Sequence, residues 1–130
     1  MKCSFCKNEA VYFRANEGKY YCKNHFIRSV EKRVKRTIGQ NKLVEDGDVI
    51  AVALSGGKDS TNTLYMLHKF FSKNPKIKLF AITIDEGIKG YREIVIEKAK
   101  ELCNMLGIGH YTFSFENEFG VTIDLSLIHI

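Results

Sequence analysis

Six consecutive residues, Ser55-Gly56-Gly57-Lys58-Asp59-Ser60, combine two glycines, two hydroxyls, a cation and a carboxylate. Such a mixture in so short a span suits the handling of phosphate. Glycines let the backbone approach an anion closely and take positive φ where a turn demands it. At a strand-to-helix turn, backbone N–H groups and the positive end of the helix dipole converge on one point and attract negative oxygen. Lys58 adds a cation, while Ser55, Asp59 and Ser60 are suited to cap the helix or to meet phosphate oxygens. A second group lies near the start of the chain. Cys3-x-x-Cys6 and Cys22-x-x-His25 are two paired-ligand turns fifteen residues apart. Three sulfurs and one imidazole nitrogen make a closed tetrahedral set, for which zinc is the default ion and a structural role the default role.

The elements that must position the first group are legible around it. Asp48 to Leu54 is nearly all apolar and reads as a strand from the buried centre of a parallel sheet. Thr61 to Phe71 has a helical pattern, with Leu64, Leu67, His68 and Phe71 on one side, and Pro75 stops it. Ile77 to Asp85 reads as a second strand. Tyr91 to Gly107 carries Ile94, Val95, Ala99, Leu102, Met105 and Leu106 at helical spacing, and Tyr111 to Phe115 alternates as a third strand. The order β-α-β-α-β predicts an α/β fold with a parallel, doubly wound sheet. Ligands in such sheets bind beyond the carboxyl ends of the strands, where Ser55–Ser60 and the segment 85–92 both fall. Asp85 or Glu86 reads as a group that reaches ribose or magnesium, or as a simple cap. Arg92 reads as a phosphate contact or a surface charge. Cys103 reads as a small packed hydrophobe, His68 as packed beneath its helix and His110 as a strand-edge residue.

The elements around the second group are shorter. Ala10 to Phe13 and Lys19 to Tyr21 predict a hairpin turning at Asn16-Glu17-Gly18. A unit of about 25 residues cannot bury enough surface to fold alone, so the metal would supply the missing stability. From Asn24 to about Gln40 the spacing predicts an amphipathic helix with Phe26, Val30, Val34 and Ile38 recurring every four residues. Arg28, Lys32, Arg33, Lys35 and Arg36 cover its other side. This helix reads as a linker docking its apolar stripe on a core, as a phosphate-backbone contact, or as both. The predicted organisation is a finger at 1–27, a basic linker helix at 28–47 and a nucleotide domain at 48–124.

Bulk properties set the class. The chain has 130 residues, 45% hydrophobic and 27% charged, as in a soluble globular protein. No apolar run reaches the roughly 18 residues of a membrane span and no signal-peptide pattern opens the chain, so a cytoplasmic protein without a membrane partner is the expectation. Four cysteines then favour thiols or metal ligation over disulfides. The net charge of +5 is unevenly placed, with +8 in residues 1–42 and −3 in residues 43–130. A basic front end points to a polyanion such as nucleic acid, or to a surface tuned for solubility.

The loop departs from both familiar phosphate fingerprints. Val52 and Asp59 stand where G-x-x-x-x-G-K-[ST] needs a glycine and a hydroxyl, and G-x-G-x-x-G has no match here. It does match S-G-G-x-D-S, the pyrophosphate loop of the ATP-pyrophosphatase (PP-loop) superfamily, whose members cut ATP between its α and β phosphates. Taken together, C-x-x-C with C-x-x-H, the basic helix, S-G-G-K-D-S and I-D-E-G-I-x-G-Y-R resemble the TtuA-type tRNA thiolation enzymes, from Met1 to about Asp124. The resemblance implies zinc on Cys3, Cys6, Cys22 and His25. It implies an ATP site made by Ala53, Leu54 and Ser55 through Ser60, with the adenine near Thr83 and Ile84, Asp85 alongside, and Lys58 and Asp59 in catalytic roles. The implied reaction adenylates the 2-carbonyl oxygen of a tRNA uridine with magnesium-bound ATP, releasing pyrophosphate. Sulfur from a thiocarboxylated ubiquitin-like carrier protein then displaces AMP, and a homodimer is the expected assembly. The alternatives are an ATP-dependent amidation or another sulfur transfer on the same loop, and a non-catalytic zinc- and ATP-binding module for tRNA.

The family pattern also includes later cysteines that help hold an iron–sulfur cluster, and a second zinc finger, which this sequence does not carry. The closing Leu125 to Ile130 breaks the pattern. The expectation is a truncated reading frame whose residues 125–130 are not native, a fragment that binds zinc and contains the ATP loop but is inactive in thiolation on its own.

Overall fold

The computed structural model describes residues 1–85, 87 and 92–114. Expectations for Glu86, the side chain of Arg92, Phe115 and the closing 125–130 lie outside the described residues. The chain forms two compact units, Met1–Val44 and Glu45–Ile130.

In the first unit, β1 (Tyr12–Arg14) pairs antiparallel with β2 (Lys19–Tyr21), placing Tyr12 opposite Tyr21 and Arg14 opposite Lys19. Gly18 closes the turn at φ 65°, its N–H bonded to the carbonyl of Arg14 at 2.9 Å. Positive φ at that position is what glycine supplies at little steric cost. The helix α1 (Lys23–Gln40) starts at once, with Cys22 as its N-cap: the sulfur accepts the N–H of His25 at 3.5 Å. Phe26 of the apolar stripe meets the ring of Tyr12 at 4.9 Å. The buried side chains of this unit are Cys3, Arg14, Tyr21 and Cys22. Such a core is mostly polar or thiol, too small to hold the unit by hydrophobic burial alone.

In the second unit, β3 (Val49–Ala53), α2 (Lys58–Phe71), β4 (Lys78–Asp85), α3 (Arg92–Leu106) and β5 (Gly109–Ser114) follow in order. The sheet runs β3-β4-β5, all parallel, with Val52 opposite Ala81 and Thr83 opposite Thr112. Each crossover moves one strand in the same direction, so crossovers of the usual right hand place both helices on one face. The core agrees: Val52, Leu54 and Ala81 from the strands meet Leu64 of α2 and Ala99 and Cys103 of α3 in one cluster.

Three details of burial and helix start differ from the sequence reading. First, β3 was expected to be buried throughout, yet Val52 is buried while Val49, Ala51 and Ala53 are exposed, because the two described crossover helices pack on one face. Ile84, Tyr111 and Phe113 share that exposure. Second, α2 begins at Lys58 rather than Thr61, so half of the phosphate loop is the helix's first turn. Third, Ile94 and Met105 of α3 face solvent, while Val95, Ala99 and Cys103 are buried as expected.

Candidate functional site

The loop between β3 and α2 is fixed at both ends. Leu54, buried, donates its N–H to the carbonyl of Ile82 at 2.7 Å and so carries the ladder one residue past the strand. Beyond it the serines stitch the turn to itself. Ser60 Oγ accepts the N–H of Ser55 at 3.2 Å, lies 3.1 Å from Ser55 Oγ, and donates to the carbonyl of Gly57 at 3.3 Å. Gly56 takes φ 85°, and a Cβ built there would lie 2.9 Å from Val95 Cγ2. Helix α3 thus presses against the underside of the turn, and only glycine fits.

Gly57 is the N-cap of α2 and carries no side chain, so no capping group competes for the first-turn N–H groups. Ser55, Gly56, Gly57, Lys58 and Asp59 are exposed, and Ser60 is half-buried. The turn therefore presents N–H groups, the dipole of a fourteen-residue helix and the Lys58 ammonium to solvent at the carboxyl edge of the sheet. Asp59 sits in the same first turn, a carboxylate at the positive helix end.

The other nucleotide-site candidates lie on the neighbouring strand. Thr83 is buried and its hydroxyl lies 2.8 Å from His110 Nε2, so its side chain belongs to the core and only its backbone is left to face a ligand. Burial, with a smaller push from Lys100, holds His110 below the usual histidine range. Ile84 is exposed, and Asp85 Oδ1 accepts the N–H of Gly87 at 3.0 Å, capping the strand end. Ala53 is exposed at the end of β3. A cavity of about 170 Å³ beneath the turn is lined by Leu54, Gly56, Thr61, Lys98, Ala99 and Leu102. Nothing in the spacing of α3 marks Lys98 for that place, since it is indistinguishable from any solvated helical charge. His68 is half-buried on α2. Cys103 is buried, and burial pushes its thiol up, away from the thiolate.

The candidate metal centre is compact. One ligand atom each from Cys3, Cys6, Cys22 and His25 fall within 4.8 Å of one another. Cys6 Sγ and Cys22 Sγ are 3.7 Å apart, and His25 Nδ1 lies 3.2 Å from Cys22 Sγ and 3.6 Å from Cys3 Sγ. Metal–sulfur bonds of about 2.3 Å in tetrahedral geometry place sulfurs at roughly this separation, so the donor set fits a single ion. Backbone N–H groups of Phe5 and Asn8 point at Cys3 and Cys6 sulfurs, both at 3.4 Å, as a thiolate requires. Burial opposes ionisation of Cys3, but the N–H groups of Phe5 and Cys22 and the thiols of Cys6 and Cys22 outweigh it and lower the thiol to about 6. Cys6 is raised: the N–H of Asn8 favours its thiolate, but burial and the adjacent Cys22 and Cys3 sulfurs prevail. The remaining cysteine, Cys103, is in the other unit and takes part in no second group of metal-ligating side chains among the described residues.

Beside the metal centre runs a polar network that the sequence did not reveal. Arg14 is buried, its Nη1 donating to Glu17 Oε1 and Tyr21 Oη, both at 3.2 Å, and its Nη2 to Ser29 Oγ at 3.0 Å. Tyr21 donates to Glu17 Oε2 at 2.6 Å, and Arg33 reaches Glu17 Oε1 at 2.8 Å. The Tyr21 hydroxyl, ahead of a burial cost that works the other way, and then Arg14, hold Glu17 below its ordinary range. Nothing in the spacing of Arg14 and Glu17 marks them as a pair from separate ends of a turn.

Comparison with known proteins places these sites in context. Residues 24–124 match the PP-loop domain family, and residues 2–27 match the N-terminal LIM domain of the 2-thiouridine synthetase TtuA. The chain is 39% identical to the tRNA 2-thiolation protein NcsA of Haloferax volcanii, over 95% of this chain and 40% of that one. It is 41% identical to the tRNA-5-methyluridine(54) 2-sulfurtransferase of Pyrococcus horikoshii, over 82% of this chain and 33% of that one. Among solved structures it resembles the U34-tRNA thiolase NcsA of Methanococcus maripaludis with its [4Fe-4S] cluster. There the TM-score is 0.81 at 36% identity, over 93% of this chain and 40% of that one. The chain thus spans about 40% or less of the length of these relatives. Among the described residues no helix is long and apolar enough to cross a membrane.

Proposed function

The chain belongs to the PP-loop family, and on that premise we propose that it carries the ATP-activating part of a tRNA 2-thiolation enzyme. The observation that carries the reading is the Ser55–Ser60 turn: a serine-stitched, glycine-seated loop whose uncapped helix start faces the carboxyl edge of a parallel sheet. In this reading the N–H groups of Gly57 to Ser60 hold the pyrophosphate of ATP. Ala53 and Leu54 lead into them, and the backbone near Thr83 and Ile84 receives the adenine. Lys58 steadies the charge that develops on the departing phosphates, and Asp59 or Asp85 would hold magnesium, which shares that load when bound.

The bond made is between the uridine 2-carbonyl oxygen and the α-phosphorus, and the bond broken is the α–β phosphoanhydride. A carbonyl oxygen is a poor leaving group until it is adenylated. AMP then departs when sulfur attacks C2. In the proposed enzyme sulfur comes from a thiocarboxylated ubiquitin-like carrier, the setting is the cytoplasm, and two copies of the protein can pair. Zinc on Cys3, Cys6, Cys22 and His25 holds the finger together and takes no part in the reaction, because the four donors leave no open position. An iron–sulfur cluster, present in the M. maripaludis relative, has no fitting donor group among the described residues, where Cys103 stands outside the metal centre and is buried, and no step is assigned to one.

The test is product analysis. With ATP, magnesium and unfractionated tRNA, the reading expects pyrophosphate to be released and an equal amount of AMP to be carried on the tRNA until a sulfur donor displaces it. Formation of ADP would move the chain to another reaction class. ATP bound but never cleaved with any tRNA would leave only the binding-module reading.

A further inference from the structure

The first unit holds a groove between its hairpin and α1, lined by aromatic, acidic and basic side chains, with a volume of about 370 Å³. Five of the lining residues are cationic: Arg14, Arg28, Lys32, Arg33 and Arg36. They are not equivalent. Arg14 is buried and spends its guanidinium on Glu17, Tyr21 and Ser29, while Arg33 is paired with Glu17 at 2.8 Å. Arg28, Lys32 and Arg36 are exposed and have no acidic partner among the described residues. Their spacing is one turn of helix, so the three cations climb one ridge in steps of about 6 Å.

Three cations in one line with no acidic partner among the described residues, beside a groove whose lining carboxylate Glu17 is already neutralised by two arginines, fit a polyanion with regularly spaced charges. A phosphodiester strand has that character. We propose that the Arg28–Lys32–Arg36 ridge is the RNA-backbone docking surface of this chain, and that Arg14 and Arg33 are structural members of the groove wall rather than phosphate contacts. Glu17 is the divider. It takes up the two arginines that complete the wall and leaves the outer three for the ligand. The rings of Phe5 and Tyr21 flank the same groove, 5.1 Å apart. Only the choice of RNA as the polyanion rests on the functional reading above. The location and the count of contacts do not.

The experiment measures binding of unfractionated tRNA to the full chain across a salt series, comparing the parent with the triple variant Arg28→Gln, Lys32→Gln, Arg36→Gln. Each lost phosphate contact lowers the slope of log K against log salt by roughly 0.7–0.9, so the triple variant should flatten it by about 2 to 3. Zinc content, helical circular dichroism and ATP binding should be unchanged. A control variant, Lys42→Gln, Lys73→Gln, Lys100→Gln, removes the same charge elsewhere and should flatten the slope by less than one contact. An unchanged slope in the ridge variant, or an equal loss in the control, overturns the proposal. So does equal affinity of the parent for polyglutamate of matched charge, which would assign the ridge to an acidic protein. If tRNA binds through the ridge but ATP releases no pyrophosphate, the ridge stands and the catalytic reading falls.

Discussion

Gly56 rests against Val95: any side-chain carbon at residue 56 would sit 2.9 Å from Val95 Cγ2, inside the closest approach real carbons make. The phosphate turn is therefore shaped from below by α3 as well as by its own sequence. Gly56→Ala meets two penalties, the contact with Val95 and the left-handed φ, the latter about 1–2 kcal/mol. ATP affinity, measured by calorimetry, should fall by at least about tenfold, one decade per 1.4 kcal/mol. Adding Val95→Ala should recover the steric part and leave the backbone part. Full recovery would show that φ is not a constraint.

Ser60 Oγ ties three points of the loop, and Ser60→Ala removes all three contacts at once. With each net hydrogen bond worth about 0.5–1.5 kcal/mol, and partial replacement by water in so exposed a turn, ATP binding should weaken by about 2- to 12-fold. Ser60→Thr keeps the hydroxyl and should stay within a factor of about two, a few tenths of a kcal/mol. Equal loss in both variants would mean that the loop tolerates no change there for reasons other than this bond.

Metal content separates the two kinds of cysteine. Cys22→Ser should abolish stoichiometric zinc by elemental analysis and lower the melting temperature of the chain. Cys103→Ala should leave zinc untouched, since Cys103 is in the other unit. Equal zinc in the parent and Cys22→Ser would refute the assigned ligands.

Glu17 predicts a pH dependence. Its pKa is depressed in the folded state, so its contribution to stability is complete above the ordinary value of 4.5 and disappears as pH falls through the folded value below it. Chemical denaturation of the parent should therefore show stability lost on acidification in that window. Glu17→Gln should remove this acid-linked loss and be less stable at neutral pH, because Arg14 stays buried without its carboxylate. A parent and variant with the same pH profile would remove Glu17 from the account.

The phosphate turn and the metal ligands were readable because each is a short run of chemically distinctive residues, complete within a few positions. The parallel order of β3, β4 and β5 was readable for a similar reason, as strand and helix periods alternate cleanly. What escaped was set at a distance. The early start of α2 at Lys58 comes from Gly57 taking the cap position, which six loop-like residues in sequence disguise. The start of β5 at Gly109 comes from pairing with Phe80 across the sheet, not from any strand preference of Gly109 and His110. The Arg14–Glu17–Tyr21 network needs the hairpin to close and α1 to deliver Ser29 and Arg33, so no local pattern announces it. Val49 and Ala53 looked buried because apolar runs say nothing about how many faces a sheet has covered.

Cys22 holds two offices in the first unit, as N-cap of α1 and as a member of the metal centre. The Cys22 sulfur accepts the first-turn N–H of His25, so an ion that fixes this sulfur also keeps the helix begun. Metal occupancy and helical order are then thermodynamically linked, each drawing on the other. Chelation would do more than loosen a finger: it would fray α1 from its first turn and, in the proposed scheme, blur the line of cations that the helix holds straight. Zinc, touching no phosphate itself, would in that way set the grip on RNA.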